Sequence, residues 1–384
     1  MKHSERSGKS TKNFIVWILT FVVSAVFIFA SHAYVSKDLQ LMQGKEHDVK
    51  AVVTELGEFV TNEDPDSDYI SKTLYFKARI TSGELKGQEV DSFQQMDNYF
   101  DTGERFVKAG DKVILYDAED GTWPFTSYAR FDYVLVLGIV FLILLIVFGR
   151  GKGVSTVVSL AFTCLAVFYV FLPAVLSGKN VYLWTIIVCV FTIIMTLLLT
   201  SGLTSKSVNT MLGCGFGVMT AGILAVIYDK IMHLTGIIDE HSVYLQIMND
   251  EGGSIDLRGL IFAMITIGAM GAVMDVAMDI ASSLYEVHKH APQISFGELF
   301  RSGLNIGRDV MGTMANTLVL AYIGSSLCSI LLRVSFSSSM LMMMNTESIC
   351  VELLQALLGS LGILLTIPLT TLVCCFAYMK RAKE

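Results

Sequence analysis

Residues 271–286 read GAVMDVAMDIASSLYE. Asp275 and Asp279 stand four residues apart, while the surrounding run, Leu260 to Ser283, is otherwise uncharged and mostly apolar. Whether this run crosses lipid decides the fold. The whole chain argues that it does: 53% of its 384 residues are hydrophobic, only 16% are charged, and the mean hydropathy is +0.58. About 20 apolar residues cross the hydrocarbon at 1.5 Å of rise each. Eight runs approach or exceed that length: 14–33, 132–149, 154–174, 181–203, 208–228, 259–284, 311–333 and 351–377. Backbone groups in lipid must be satisfied within the segment, so each run is expected as a helix. The fold class is therefore an α-helical polytopic membrane protein of about eight transmembrane helices.

Charge sets the threading. Lys2, Arg6, Lys9 and Lys12 precede the first run, a positive-inside signal. That run is longer than the 7–15 residues of an ordinary signal peptide, so an uncleaved signal anchor is expected over cleavage after Ser31-His32-Ala33. Eight crossings then put both termini in the cytoplasm. Arg150, Lys152, Lys206, Lys289, Arg301, Arg308, Lys380, Arg381 and Lys383 all fall on the expected inner side. The expected outer loop 229–257 sets Lys230 against Asp229, Asp239, Glu240, Asp250, Glu251 and Asp256. The organisation follows: 1–33 tail and anchor, 34–131 an extracytoplasmic domain, 132–378 a seven-helix core, 379–384 a cytoplasmic tail.

Residues 34–131 carry 11 Lys/Arg and 19 Asp/Glu, close to the whole chain's net charge of −7. No basic nucleic-acid footprint exists. DVKAVVTEL at 48–56, TLYFKARIT at 73–81 and DKVILY at 111–116 are rich in strand formers, with turn signals at 61–68, 82–87 and 109–111. A small all-β barrel, OB-like or SH3-like, is expected. None of the seven cysteines lies in it, and their spacing fits no metal site; small core residues is the plain reading. His233 and His241 around Asp239-Glu240 fit no standard metal spacing, so a solvated loop is expected, and the MLMMM run at 340–344 reads as an interfacial loop rather than a thioether site. No cofactor, metal or catalytic motif such as HExxH or GxSxG is present in the sequence, so no enzyme is expected.

The acids need an explanation, since a charge at the helix centre costs about 2.5–3.5 kcal/mol on insertion scales. A spacing of four puts Asp275 and Asp279 on one face, toward the cytoplasmic end of the sixth span. SGLNIGRDVMGTMANTLVL at 302–320 leads into the seventh and brings Asn305, Arg308, Asp309, Asn316 and Thr317 to similar depth. An Asp–Arg pair across the seam is expected, with Asn316 and Thr317 nearer the level of Asp275. Gly268, Gly271, Gly303, Gly307 and Gly312 are expected to let the two helices approach. This set is read either as an ion or substrate pathway, proton- or cation-binding, or as a structural ion pair.

GAVMDVAMDIASSLYE, NIGRDVMGTMANTLVLAYIGSSL, GLTSKS and GSLGILLTIPLTTLV together resemble the YibE/F-like family of bacterial membrane proteins, in the form that carries an extracytoplasmic domain. The resemblance implies a multi-pass plasma-membrane protein with a second YibE/F-like subunit as a partner, and no particular substrate. Asp275, Asn305, Gly307, Arg308, Asp309, Gly312, Asn316 and Thr317 match its pattern; Asp279 stands outside it. A transporter or permease subunit is expected. The alternative is a membrane-anchored scaffold, accessory or sensor that meets an extracytoplasmic partner through its outer domain.

Overall fold

The computed structural model describes residues 2–37, 47–63, 70–97, 105–250, 255–337 and 339–381. Two compact units result: Leu41–Leu144, and Met1–Gln40 with Leu145–Glu384.

The first unit is a closed barrel of five strands, β1 (Asp48–Glu63), β2 (Ile70–Ile80), β3 (Glu89–Asp97), β4 (Lys112–Tyr116) and β5 (Trp123–Tyr128), in the order β1-β2-β3-β5-β4. All neighbours are antiparallel except β3 and β5, joined by Ser92↔Trp123 and Phe93↔Pro124 only. Alternation along β2 sends Phe76, Ala78 and Ile80 inward onto Ala51, Val53, Val113 and Leu115. Two irregularities in β1 bend it enough to serve two neighbours. Gly57 sits at the second, where a Cβ would come within 3.0 Å of the Tyr75 carbonyl. Buried polar groups in the wall are paired: Ser92 Oγ donates to the Trp123 carbonyl at 2.5 Å, and Gln94 accepts from the Val107 amide at 2.9 Å. The turns expected at 82–87 and 109–111 are formed, with Gly83, Gly87 and Gly110 at positive φ. Of the expected turn at 61–68, residues 64–69 lie outside the described residues.

The second unit is helical. Its elements are α1 (Lys2–Val35), α2 (Arg130–Leu165, beginning in the first unit), a π-helical turn (Ala166–Phe171), α3 (Leu172–Leu176), α4 (Val181–Ser201), α5 (Ser205–Ile231), α6 (Glu240–Asp250), α7 (Leu257–His290), α8 (Phe296–Ser325), α9 (Leu327–Phe336), α10 (Met340–Met344) and α11 (Glu347–Arg381). The centre is the three-way seam of α5, α7 and α11, where Cys214, Val273, Val276, Ile280, Leu284, Ile363 and Cys374 are buried. Glycines make that seam close: a Cβ on Gly213 or Gly217 would run into the Thr370 or Thr366 side chain of α11. Four of the cysteines are buried and all seven are free thiols, as a packing role requires.

Six helices are long and apolar enough to cross a membrane, seven if the bent pair α8–α9 counts as one. The expected eight differ from this in two places. The spans 132–149 and 154–174 lie in one 47-residue stretch, Arg130–Leu176, which breaks at Arg150 (φ 50°, ψ −130°). The expected 311–333 helix begins instead at Phe296 and bends by 59° at Ser326. Ser295 and Glu298 start it with a capping box, a Ser-x-x-Glu signature present in the sequence. α11 continues through Pro368 without ending there.

The π turn is anchored by α1. His32 Nδ1 lies 2.8 Å from the Tyr169 carbonyl, with its ring against the Tyr169 ring. Ser177 Oγ donates to the Val35 carbonyl at 2.5 Å. Ile28 and Val35 are buried. α1 is therefore a packed member of the bundle.

Candidate functional site

Two contacts fix the register of α7 against α8. Gly303 of α8 packs on Leu284 of α7, and Gly268 of α7 packs under the Tyr322 hydroxyl of α8. The helices are antiparallel, so residues equally far from the 284/303 level share a depth. Asp279 and Arg308 each lie five residues beyond it, about 7.5 Å on. Asp275 and Gly312 lie at the next level, with Asn316 a turn further. Counted from the 284/303 contact, Arg308 falls near the level of Asp279, and Asn316 about one turn from that of Asp275.

The direction of the side chains is not the expected one. On α7 the inward face is Val273, Val276, Ala277, Ile280 and Leu284, all fully buried. Met264, Gly268, Gly271, Asp275 and Asp279 fall on the opposite face and are exposed. α8 does the same. Leu299, Gly303 and Gly307 face the bundle, Gly303 also on Thr371 and Gly307 on Ile367 of α11. Asn305, Arg308, Asp309, Gly312, Asn316 and Thr317 are exposed. Among the described residues no ion pair includes Asp275, Asp279 or Arg308. The expected Asp–Arg pair within one chain is thus corrected: the partners share a level, yet both turn away from the bundle. The Thr317 hydroxyl donates to the Thr313 carbonyl of its own helix at 2.8 Å.

Both stripes have closely similar spacing, in steps of three or four: 264, 268, 271, 275, 279 on α7, and 301, 305, 308, 312, 316 on α8. That is the outer line of a straight α-helix. Of the five glycines expected to pack, Gly268, Gly303 and Gly307 do so, whereas a Cβ on Gly271 or Gly312 would meet nothing within 4 Å. The result is a continuous small and polar face on two adjoining helices, facing away from the core. Two carboxylates and a guanidinium on such a face can bind a proton, a small cation or an opposite charge.

Three polar features escaped the sequence reading. Glu352, half-buried in the first turns of α11, sits beside Ser326 at the α8–α9 bend. Its place at the very edge of an apolar run hid it. Asp229, 12% exposed at its side chain, accepts from Arg258 Nε at 3.2 Å and Nη2 at 2.5 Å, a two-point pair that ties the end of α5 to the start of α7. Finally, a cavity of about 1020 Å³ with a mixed polar and apolar lining is bordered by Asn13, Trp17, Lys152, Ser155, Lys206 and Tyr285 among others, with Trp17 Nε1 donating to Ser155 Oγ at 3.0 Å. Neither Asp275 nor Asp279 lines it.

The weaker sequence candidates stay unassembled. Among the described residues no three His, Cys, Asp or Glu groups come together as a metal set, and that includes His233 and His241. Met340 and Met342 are exposed, with only Met343 tucked inward.

Comparison with known proteins adds one finding. The profile of the YibE/F-like protein family matches residues 137–380. No curated protein and no solved structure matches the chain. The match spans more than half of the sequence and includes α7, α8 and α11; the barrel lies outside it. The chain belongs to the YibE/F-like family.

Proposed function

We propose that this YibE/F-like protein is a subunit of a membrane permease in which the outward polar face of α7 and α8 lines the path of a proton or small cation. The observation that supports it most is the pair Asp275 and Asp279, exposed one helical turn apart on a helix otherwise fit to cross lipid. Ionisable groups at such positions cost free energy to insert and are functional by default. On this reading the chain crosses a bacterial plasma membrane eight times, its two extra crossings supplied by the break at Arg150 and by the bent α8–α9 pair. Lys and Arg near the even-numbered connections, Arg150, Lys152, Lys206, Lys289 and Arg301 among them, favour both termini inside and the barrel outside. The strand order β1-β2-β3-β5-β4, with β3 and β5 parallel, favours the OB type of the two barrels expected. The role is transport rather than catalysis.

The test uses purified full-length protein in liposomes loaded with a pH- or sodium-sensitive dye, under imposed proton, Na⁺ and K⁺ gradients. Wild type should carry at least one of them, and Asp275→Asn should lose that flux at least tenfold while eluting as wild type does. An unchanged flux in the variant ends this reading.

A second reading is favoured by the barrel itself. A groove of about 1140 Å³ on it is lined by Arg105, Phe106, Lys108, Phe125, Tyr128 and Arg130 among others. A scaffold or sensor that holds an extracytoplasmic partner there would lose function when the barrel is removed and would carry no ion.

A further inference from the structure

The α7–α8 face poses a problem that one chain does not solve. Asp275, Asp279 and Arg308 are all exposed, on α7 and on the bent pair α8–α9, both apolar enough to cross a membrane, with no ion pair among the described residues. Gly271 and Gly312 add to it. Each is a helix-interior glycine with open space where its side chain would be, so neither is needed for packing inside the chain. Glycine weakens a helix interior relative to alanine, and close approach of another helix is what such positions permit in a membrane.

The charges name the occupant. Along the outward lines the face carries acid on α7, Asp275 and Asp279, and base on α8, Arg301 and Arg308, with Asp309 exposed one position round α8 from that line. A two-fold axis along the membrane normal keeps every residue at its own depth while exchanging left and right. Turned about such an axis, the α8 side of one copy faces the α7 side of the other, and Arg308 arrives at the level of Asp279. The contact is self-complementary and forms the pair twice. Asn305 and Asn316, on the same outward line as Arg308, are placed to hydrogen-bond across it. We infer that two copies of this chain associate through α7 and α8, Arg308 of each pairing with Asp279 of the other. The Asp–Arg pair read from the sequence then exists, but between subunits. The inference shares with the permease reading only the placement of this face in the bilayer, and it stands whether or not an ion moves along it.

The test is a charge exchange between two tagged full-length chains expressed together, with association read by pull-down through one tag and by mass photometry of the purified material. Wild type should be dimeric. Asp279→Arg alone faces base with base, and Arg308→Asp alone faces acid with acid, so each should lose at least tenfold in self-association. Mixed, the two variants satisfy both pairs, because every acid on one chain then meets a base on the other, and association should return to within about threefold of wild type. That recovery also shows that each variant folds. The inference is overturned if wild type is monomeric at membrane-like density, if either variant dimerises as wild type does, if the mixture gains nothing over the singles, or if only a homologous subunit is captured. None of these results depends on flux, so failure here leaves the liposome experiment intact, and a silent liposome leaves the dimer intact.

Discussion

The three-way seam of α5, α7 and α11 makes a sharp prediction through Gly217. A methyl group placed there would overlap Thr366 Oγ1 and come within 2.7 Å of Val273 Cγ1. Thr366 and Val273 are fully buried, both are β-branched with few rotamers in a helix, and the Thr366 hydroxyl is committed to the Gly362 carbonyl at 2.7 Å. Neither neighbour can yield cheaply. Overpacking of this kind costs about 1–3 kcal/mol. Moving Thr366 aside would give up a buried hydrogen bond worth about 0.5–1.5 kcal/mol. Helix propensity returns at most about 1 kcal/mol for Gly→Ala. Gly217→Ala should therefore destabilise by about 1–3 kcal/mol. Gly215, two residues earlier on the same helix, meets nothing within 4 Å, so Gly215→Ala should stabilise by up to about 1 kcal/mol. The two identical changes should differ by several degrees in a melt followed with a thiol-reactive dye, for which the buried Cys189, Cys214 and Cys374 are reporters. If Gly217→Ala melts at or above Gly215→Ala, the helices do not meet as described and the register argument for α7 and α8 loses its frame.

Other predictions follow from single contacts. Glu347 accepts from the amides of Thr235 and Gly236, each at 2.8 Å, and from the Thr235 hydroxyl; Glu347→Ala should loosen the α5–α6 connection by about 1 kcal/mol, seen as faster amide exchange at 235–236 with exchange in α7 unchanged. Phe76→Ala empties the middle of the barrel and should cost about 3–5 kcal/mol, read from Trp123 fluorescence on urea titration of the full chain. The hydroxyl and amide of Thr122 hold the Asp120 carboxyl below its ordinary value. A depressed carboxyl stabilises above its unfolded value and loses that effect as the pH falls through the folded one. The 117–122 turn should hence relax only in acid, and Thr122→Val should move the Asp120 titration, followed by NMR, upward.

Much of this fold was legible in the residues. Length and apolarity located most of the helices that are long and apolar enough to cross a membrane, and DVKAVVTEL, TLYFKARIT and DKVILY became parts of β1, β2 and β4. β3 escaped because EVDSFQQMD has few apolar or β-branched positions; its buried Ser92 and Gln94 are satisfied by β5 and the 105–107 segment, partners that no local pattern announces. β5 was hidden by Pro124, which sits where the β3 pairing ends. The site shows a different limit. A spacing of four told that Asp275 and Asp279 share a face, and the loop between the helices told that Arg308 shares their depth. Neither told which way the face points. That step assumed that one chain is a complete solution to the burial of its own charges. Periodicity fixes angles within a helix, whereas orientation is decided by what α5 and α11 offer, namely small residues and threonines that fit Val273 and Gly303 better than carboxylates. The same logic explains the glycines: Gly303 and Gly307 carry the small-xxx-small spacing and do pack, but on α11 as well as α7.

The barrel wall has one thin line. β1 is laced to β2 over ten residue pairs, whereas β3 and β5 meet at two. One of those two involves a proline, which has no amide hydrogen to give. What else closes the gap is the Ser92 hydroxyl on the Trp123 carbonyl and the Gln94 side chain on the 105–107 segment. Under mechanical load or mild denaturant the cylinder should unzip along this line first, uncovering Trp123 while the antiparallel pairings hold the strands together as an opened sheet, so that any ligand wedged between β3 and β5 would act on the domain as a staple.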